Sequence, residues 1–355
     1  MLHLTAVEAR RMRWQAHLLG GSNLDPAAVV ERAVALQGQD LHAVVRAIAI
    51  RSRPGTTVPD VRAAFDAGRL VRSWPMRGTL FATTPAHLST LLHFTAERTH
   101  RAAARRRAEL GIDDTVLLRA RDVLAEALSE RPLRRAEALT LWEAAGIETS
   151  AGRGYHLLVH LCVDGLAHWG RFDDTGSEQL LTRFLTPATT PAAADPATAT
   201  ASLAAVVRDF AASRGPVTET DLAWWTKLPK TTLRRAAGTV EELVEVDVEG
   251  TTAWLAGEPD RPQPSGVTLV PGFDEWILGY ADRSLVASPA MLDALVPGRN
   301  GIFRPAILVD GVVVGTWRLL RSTRPMPEPA VDLVESVSAR TRRAIGRAVA
   351  DWPHS

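Results

Sequence analysis

Two carboxamides and a carboxylate stand within four residues of each other: Gln37, Gln39 and Asp40, in the segment Ala35-Leu36-Gln37-Gly38-Gln39-Asp40. A carboxamide does not usefully bind a proton near neutral pH, so this pair cannot serve as a general base. Two amide oxygens can instead hold a water molecule and turn their dipoles toward a developing positive charge. Asp40 is the competing candidate, a true carboxylate beside two structural glutamines. The run Pro26 to Leu36, with Val29, Val30, Ala33 and Val34 apolar, predicts a helix leading into the segment. On an unbroken helix Gln37 and Gln39 would point about 200° apart. For both to reach one pocket the backbone must leave α-geometry near Gly38, which glycine permits.

The elements around this segment read as repeated modules. Thr5 with Glu8 three residues on is a capping box for a helix over Leu4 to Leu19. Asp25-Pro26 caps the next helix. Leu41 to Ile50 is a short apolar stretch, and a helix from Val58 to Ala67 stops at Gly68. Leu70 to Trp74 and Gly78 to Ala82 are strand-like, separated by Pro75-Met76-Arg77. Helices followed by a two-stranded element describe a winged helix. The pattern recurs after Ala120 and again after Val206, so tandem winged helices are expected. A stretch rich in Pro, Ala and Thr separates the last two modules.

The C-terminal third is β-prone at Val267 to Leu269 and Ile277-Leu278. Two β-branched runs around Asp310-Gly311 are a strong hairpin signal of the type I′ kind. Val331 to Val349 reads as a closing amphipathic helix. The expected fold class is therefore mainly α with short β-strands (α+β). Its parts are winged helices at 1–112, 113–186 and 202–260, a linker at 187–201, and a C-terminal β-hairpin region at 261–355.

Composition narrows the function classes. The chain has 355 residues, 46% of them hydrophobic, and a net charge of only +1, which favours no single partner. No apolar run reaches the roughly 18 residues of a membrane span, and the N-terminus lacks the apolar core of a signal peptide. A reducing cytoplasm is the expected location, and Cys162 is expected to be buried as a small hydrophobe. Lysine occurs only at Lys227 and Lys230, whereas Arg98, Arg101, Arg105, Arg106 and Arg107 form a block with His100. That block reads equally as a solvated helix face or as a phosphate-binding stripe. The ten histidines are scattered and a single cysteine cannot build a zinc site, so no metal or other cofactor is expected.

The segment Leu269-Val270-Pro271-Gly272-Phe273-Asp274-Glu275-Trp276-Ile277-Leu278-Gly279-Tyr280-Ala281-Asp282-Arg283 resembles the central motif of the winged-helix DNA glycosylases typified by AlkZ and YcaQ. Arg72-Ser73-Trp74-Pro75-Met76-Arg77-Gly78-Thr79-Leu80, Asp221 to Trp225 and Ile307 to Trp317 resemble three further motifs, in the same order. The resemblance implies tandem winged helices around a concave, DNA-sized channel. It also implies a catalytic glutamine, one intervening residue, and a second glutamine or an aspartate. Gln37 and Gln39 fit the branch with two glutamines, and Gly38 departs from the aliphatic residue usual between them. That branch removes bulky N7-alkylguanine lesions, including azinomycin interstrand crosslinks, as self-resistance in producers of the genotoxin.

A carboxamide pair suits such a substrate, because alkylation at N7 already makes guanine a cationic, activated leaving group. No lysine lies near the segment, so Schiff-base lyase chemistry is not expected and the enzyme reads as monofunctional. Arg72 and Arg77, the block Arg101, Arg105 and Arg106, and Arg304 and Arg318 beside the hairpin are the DNA-contact candidates, with Arg321 flanking the last pair. Asp310 and Gly311 mark a hairpin that either probes duplex DNA near the lesion in an open site or belongs to an ordinary buried sheet. Asp274 and Glu275 read first as a cap or a buried polar link between modules. The expected partner is double-stranded DNA carrying bulky or crosslinking adducts, bound by a nucleoid-associated monomer. The rival classes are a DNA-binding regulator of tandem winged helices without catalysis, and a resistance protein that sequesters the genotoxin itself.

Overall fold

The computed structural model describes residues 1–184, 195–257, 266–319 and 329–352. The chain begins with β1 (Leu2–Leu4), α1 (Ala6–Ala16), α2 (Pro26–Ala33), β2 (Ala35–Gln37), α3 (Leu41–Ala49) and α4 (Val58–Asp66). β3 (Val71–Met76) and β4 (Thr79–Thr83) follow. Then come α5 (Pro85–Glu109), α6 (Asp114–Glu130), α7 (Arg135–Ala144), α8 (Arg153–Val163), β5 (Ala167–Phe172) and β6 (Gln179–Arg183). α9 (Pro196–Arg214), α10 (Glu219–Thr226), α11 (Lys230–Ala237), β7 (Leu243–Val248) and β8 (Thr251–Ala256) make the next group. β9 (Val267–Val270), α12 (Glu275–Leu278), α13 (Pro289–Leu295), β10 (Ala306–Val309), β11 (Val312–Leu319), β12 (Pro329–Leu333) and α14 (Ala339–Ala350) close the chain. This is an α+β architecture of many helices and short strands.

The same order, helix, short strand or bridge, helix, helix, hairpin, occurs three times. In the second and third instances the segment between the first two helices bridges to the hairpin, Leu133 to Leu181 and Val217 to Trp254. These matching bridges are the structural form of the repeat read from the sequence, and they close each wing against its helices. In the second instance Trp142 is fully buried and its indole N–H donates to the Ala120 carbonyl at 2.9 Å. That bond fixes α7 on α6. In the third, the Phe210 and Trp225 rings pack at 5.1 Å between centroids, tilted by 46°.

The chain forms two compact units. One comprises Met1–Val61, Ala204–Trp225 and Pro229–Ser355, and the other Arg62–Leu203 and Thr226–Leu228. Within the first, β1 pairs in parallel with β7, which pairs with β8, and a four-stranded antiparallel sheet runs β12-β11-β10-β9. Within the second, β4, β3, β5 and β6 are antiparallel neighbours over a core that includes Leu124, Leu157, Leu161 and the buried Cys162. No helix among the described residues is long and apolar enough to cross a membrane.

Several local expectations hold. Thr5 and Glu8 form the capping box, and the Asp25 carboxylate accepts the Ala28 N–H at 2.9 Å. Asp310 and Gly311 both take positive φ, 48° and 80°, as a type I′ turn demands. Others are corrected. Ile277-Leu278 is a helical turn rather than a strand, because Asp274 caps it. Val331 lies on β12, opposite Trp317 of β11, and the closing helix starts only after the Ser338 cap. Of the linker expected at 187–201, residues 187–194 lie outside the described residues. From Pro196 the chain is already α9, started by Asp195, whose carboxylate accepts the Ala197 and Thr198 N–H groups at 2.8 and 3.1 Å.

Candidate active site

The helix expected to run from Pro26 to Leu36 ends early. Its C-cap is Val34, at φ 64° and ψ −55°. These angles are close to those of a γ-turn, a strained conformation for a β-branched residue. The chain then runs extended through β2, so the exit from α-geometry lies at Val34 rather than near Gly38. The strand ends at Gln37, and Gln39 follows in a bend, so helix geometry no longer sets the angle between the two glutamines.

A single guanidinium brackets the strained residue. Arg214, at the end of α9, donates through Nη1 to the Ala33 carbonyl at 2.9 Å and through Nη2 to the Ala35 carbonyl at 2.8 Å. Nη2 also meets Glu275 Oε2 at 2.9 Å, and the Trp225 indole N–H donates to the same oxygen at 3.0 Å. The other carboxylate oxygen of Glu275 accepts the backbone N–H of Gln37 at 3.0 Å. Both side chains of this ion pair are 1% exposed. Removing one partner of such a pair leaves a buried charge and costs about 3–5 kcal/mol, so the arrangement fixes β2 firmly.

The neighbouring carboxylate holds the far end of the segment. Asp274 caps α12 by accepting the Trp276 N–H at 2.8 Å, and receives Arg51 in a two-pronged pair at 2.7 and 2.9 Å. Arg51 directly follows Ile50, the C-cap of α3. Asp274 and Glu275 therefore grip the chain on either side of α3, which matches their expected reading as a cap and a buried polar link. Behind them His17 and Tyr280 complete a buried layer. The Tyr280 hydroxyl donates to the Arg214 carbonyl at 2.7 Å, so His17 Nε2, 2.9 Å away, must be the donor to that hydroxyl. Burial first, then the charges of Arg51 and Arg214, push the His17 pKa well below its usual value, and burial pushes the Tyr280 hydroxyl up. Sequence reasoning missed Arg214, Arg51 and His17. Trp225 and Tyr280 lay in recognisable motifs but carried no stated role.

Gln37 is buried and Gln39 is exposed. The Gln37 side-chain oxygen accepts the Gly38 N–H at 3.0 Å. Asp40 is exposed and its carboxylate caps α3, accepting the Ala43 N–H at 3.0 Å. That gives Asp40 a structural task independent of chemistry.

The arginine candidates fall into distinct settings. In the second unit, Arg72 Nη1 donates to Gln179 Oε1 at 3.0 Å, and Arg77 sits at the β3–β4 turn with φ 60°, over the Phe81 ring. On α5, Arg101 pairs with Glu97, and Arg105 and Arg106 pair with Glu109 at 3.0 and 3.1 Å. Such exposed intrahelical pairs are weak and exchange readily for a phosphate. In the first unit, Arg304 and Arg318 are exposed and line a groove of about 550 Å³ with Thr316 and Asp332. Arg321 lies outside the described residues.

The hairpin is built into a sheet. β10 and β11 are interior strands of their sheet, and Ala306, Ile307, Leu308, Val313 and Val314 are buried. Its turn is held as well: Arg10 Nε donates to the Asp310 carbonyl at 3.3 Å, and the Gly266 N–H donates to Asp310 Oδ1 at 3.1 Å. A side chain at Gly311 would meet Arg10 at 3.0 Å, so glycine is needed there for close packing as well as for its positive φ. A turn pinned in this way is a packed sheet corner.

Against the expectation of scattered histidines, the second unit places ligand-type atoms of His100, His160 and Asp164 within 4.8 Å of one another. The sequence signal was the four-residue step from His160 to Asp164.

The helix–hairpin module thus occurs three times, and the carboxamide segment is braced by a buried ionic layer. The DNA glycosylase AlkZ-like family matches residues 30–353, and the chain belongs to that family. A curated relative, the interstrand DNA cross-link repair glycosylase of Streptomyces sahachiroi, is 31% identical over 156 residues, which cover 40% of this chain and 42% of the relative. The solved structure of Streptomyces sahachiroi DNA glycosylase AlkZ shares the fold with a TM-score of 0.78 at 21% identity, covering 99% of this chain and 97% of that one.

Proposed function

We propose that this protein is a monofunctional DNA glycosylase that releases cationic N7-alkylguanine from duplex DNA and unhooks interstrand crosslinks of the azinomycin type, protecting its host from a genotoxic natural product. The observation that carries the reading is the Gln37–Glu275 bond within a chain of this family. It fixes, through a buried carboxylate, a segment whose own side chains are carboxamides.

The chemistry follows from that choice of side chains. When the C1′–N9 bond breaks, its electron pair passes to the alkylated base and cancels the N7 charge. The sugar is left as an oxocarbenium-like cation. Gln37 and Gln39 act on that cation by orienting the water that adds to C1′ and by turning amide oxygens toward the positive charge. The water loses its proton to solvent. Such positioning contributes a few kcal/mol, enough for an activated leaving group and far too little for a neutral base. The substrate is duplex DNA, the exposed arginines supply phosphate contacts, and the protein acts as a monomer.

The test is base release from duplex DNA carrying one N7-methylguanine, comparing wild type with Gln37→Ala and Gln39→Ala, and repeated on a bulky N7 adduct or crosslink. Loss of release with DNA binding intact supports the reading. If wild type releases neither lesion but binds DNA, the protein is a regulator of the winged-helix kind. Binding of free genotoxin without DNA would make it a sequestering protein.

A further inference from the structure

We infer that His100, His160 and Asp164 form a binding site for a divalent transition-metal ion of the zinc class, which staples α5 to α8 within the second unit. His100 lies on the later half of α5. His160 lies one turn before Asp164, which closes α8 as its C-cap. One ligand atom from each residue falls within a common span of 4.8 Å. Two imidazoles and a carboxylate are the donor types that zinc takes, with a fourth position left for water.

One feature distinguishes this group from an ordinary ion pair. His100 Nε2 pairs with Asp164 Oδ1 at 3.2 Å, whereas His160 Nδ1 beside them is buried without a hydrogen-bond partner. A buried imidazole nitrogen normally finds a partner, so His160 Nδ1, left without one beside the His100–Asp164 pair, calls for an explanation. A shared metal ion, with one ligand atom from each residue inside the 4.8 Å span, supplies one. Ligand atoms at zinc bonding distance in a tetrahedron lie about 3.3 Å apart, which the His100–Asp164 pair already matches. The His100 and His160 rings are 4.3 Å apart between centroids.

The other carboxylate oxygen is already occupied: Arg121 Nη1 donates to Asp164 Oδ2 at 2.9 Å. This leaves Oδ1 for the ion and orients the carboxylate, the task second partners perform at metal sites. An ion bound here would fix the stretch of α5 that carries Arg101, Arg105 and Arg106.

The experiment uses the full chain, free of any affinity tag and stripped with chelator. It is titrated with Zn²⁺ against a chromophoric chelator, and separately with Co²⁺ while the visible spectrum is followed. The expected result is one ion per chain, Co²⁺ bands of a tetrahedral site with imidazole ligands, and a higher melting temperature with Zn²⁺. Affinity should fall at least about tenfold in Arg121→Ala, and further in His160→Ala and Asp164→Asn. Absence of uptake by wild type, or equal affinity in wild type and His160→Ala, overturns the site. Should the variants fail to fold, the wild-type Co²⁺ spectrum decides, since pale octahedral bands would mean surface binding only.

Discussion

The carboxylate of Glu275 accepts the backbone N–H of Gln37 at 3.0 Å through one oxygen and the Arg214 guanidinium at 2.9 Å through the other. Because Arg214 also holds the carbonyls of Ala33 and Ala35, the two residues together fasten every second residue from 33 to 37. The positive φ of Val34 persists because its surroundings over-determine it. Under the proposed function, Glu275 is a positioning residue that acts on the reaction through Gln37.

Glu275→Gln keeps an acceptor for the Gln37 N–H but leaves Arg214 buried without its counter-charge. Stability should fall by about 3–5 kcal/mol, measured by urea unfolding. Trp225→Phe removes one hydrogen bond to the same carboxylate and should cost about 1.5–3 kcal/mol. Base release by the folded fraction of either variant should fall in kcat more than it rises in KM. Unchanged kcat would detach Glu275 from the reaction.

Asp40 separates capping from chemistry. Asparagine caps a helix about as well as aspartate, so Asp40→Asn should leave the melting temperature and base release near wild type. Asp40→Ala should lose about 1 kcal/mol of stability through the missing cap on α3. A collapse of base release in Asp40→Asn, larger than that in Gln39→Ala, would move the catalytic role to Asp40.

Arg77 occupies a left-handed turn position followed by Gly78, also at positive φ. Arg77→Asn creates the Asn-Gly pair that type I′ turns favour and should stabilise the protein by about 0.5–1 kcal/mol. If Arg77 contacts a phosphate, the same change weakens DNA binding evenly across sequences and lowers the slope of log affinity against log salt by about 1. An unchanged salt slope would remove Arg77 from the DNA surface.

His17 and His168 are both kept neutral in the fold, chiefly by burial, His17 well below its usual pKa and His168 down to about 4. The unfolded chain takes up these protons near pH 6.5, whereas the folded chain does not. Stability contributed by neutrality is therefore complete above pH 6.5 and is lost as pH falls from there toward about 4. Urea midpoints between pH 7.5 and 5 should fall accordingly, and His168→Gln should flatten that slope. An unchanged slope in this variant would mean that His168 does not contribute to the acid sensitivity.

Features set by residues a few positions apart were legible in the sequence. The Thr5–Glu8 capping box, the Asp25-Pro26 start and the Asp310-Gly311 turn depend on local side-chain-to-backbone bonds or on allowed φ, and all three occur as read. The repeated module and the motif around Asp274 and Glu275 were legible for the same reason, as patterns along the chain. What only the tertiary structure decided involves partners distant in sequence. Nothing local marks Glu275 as the acceptor for Gln37, 238 residues away, or Arg51 as the partner of Asp274, 223 residues away. The helix read through Leu36 ends at Val34 because a distant arginine and carboxylate supply the hydrogen bonds that an extended strand needs. Likewise His100 meets His160 and Asp164 only because α5 packs on α8. Local chemistry sets where an element can start and turn. Burial decides which distant charges must find each other, because an unpaired charge in the interior costs more than any local propensity supplies.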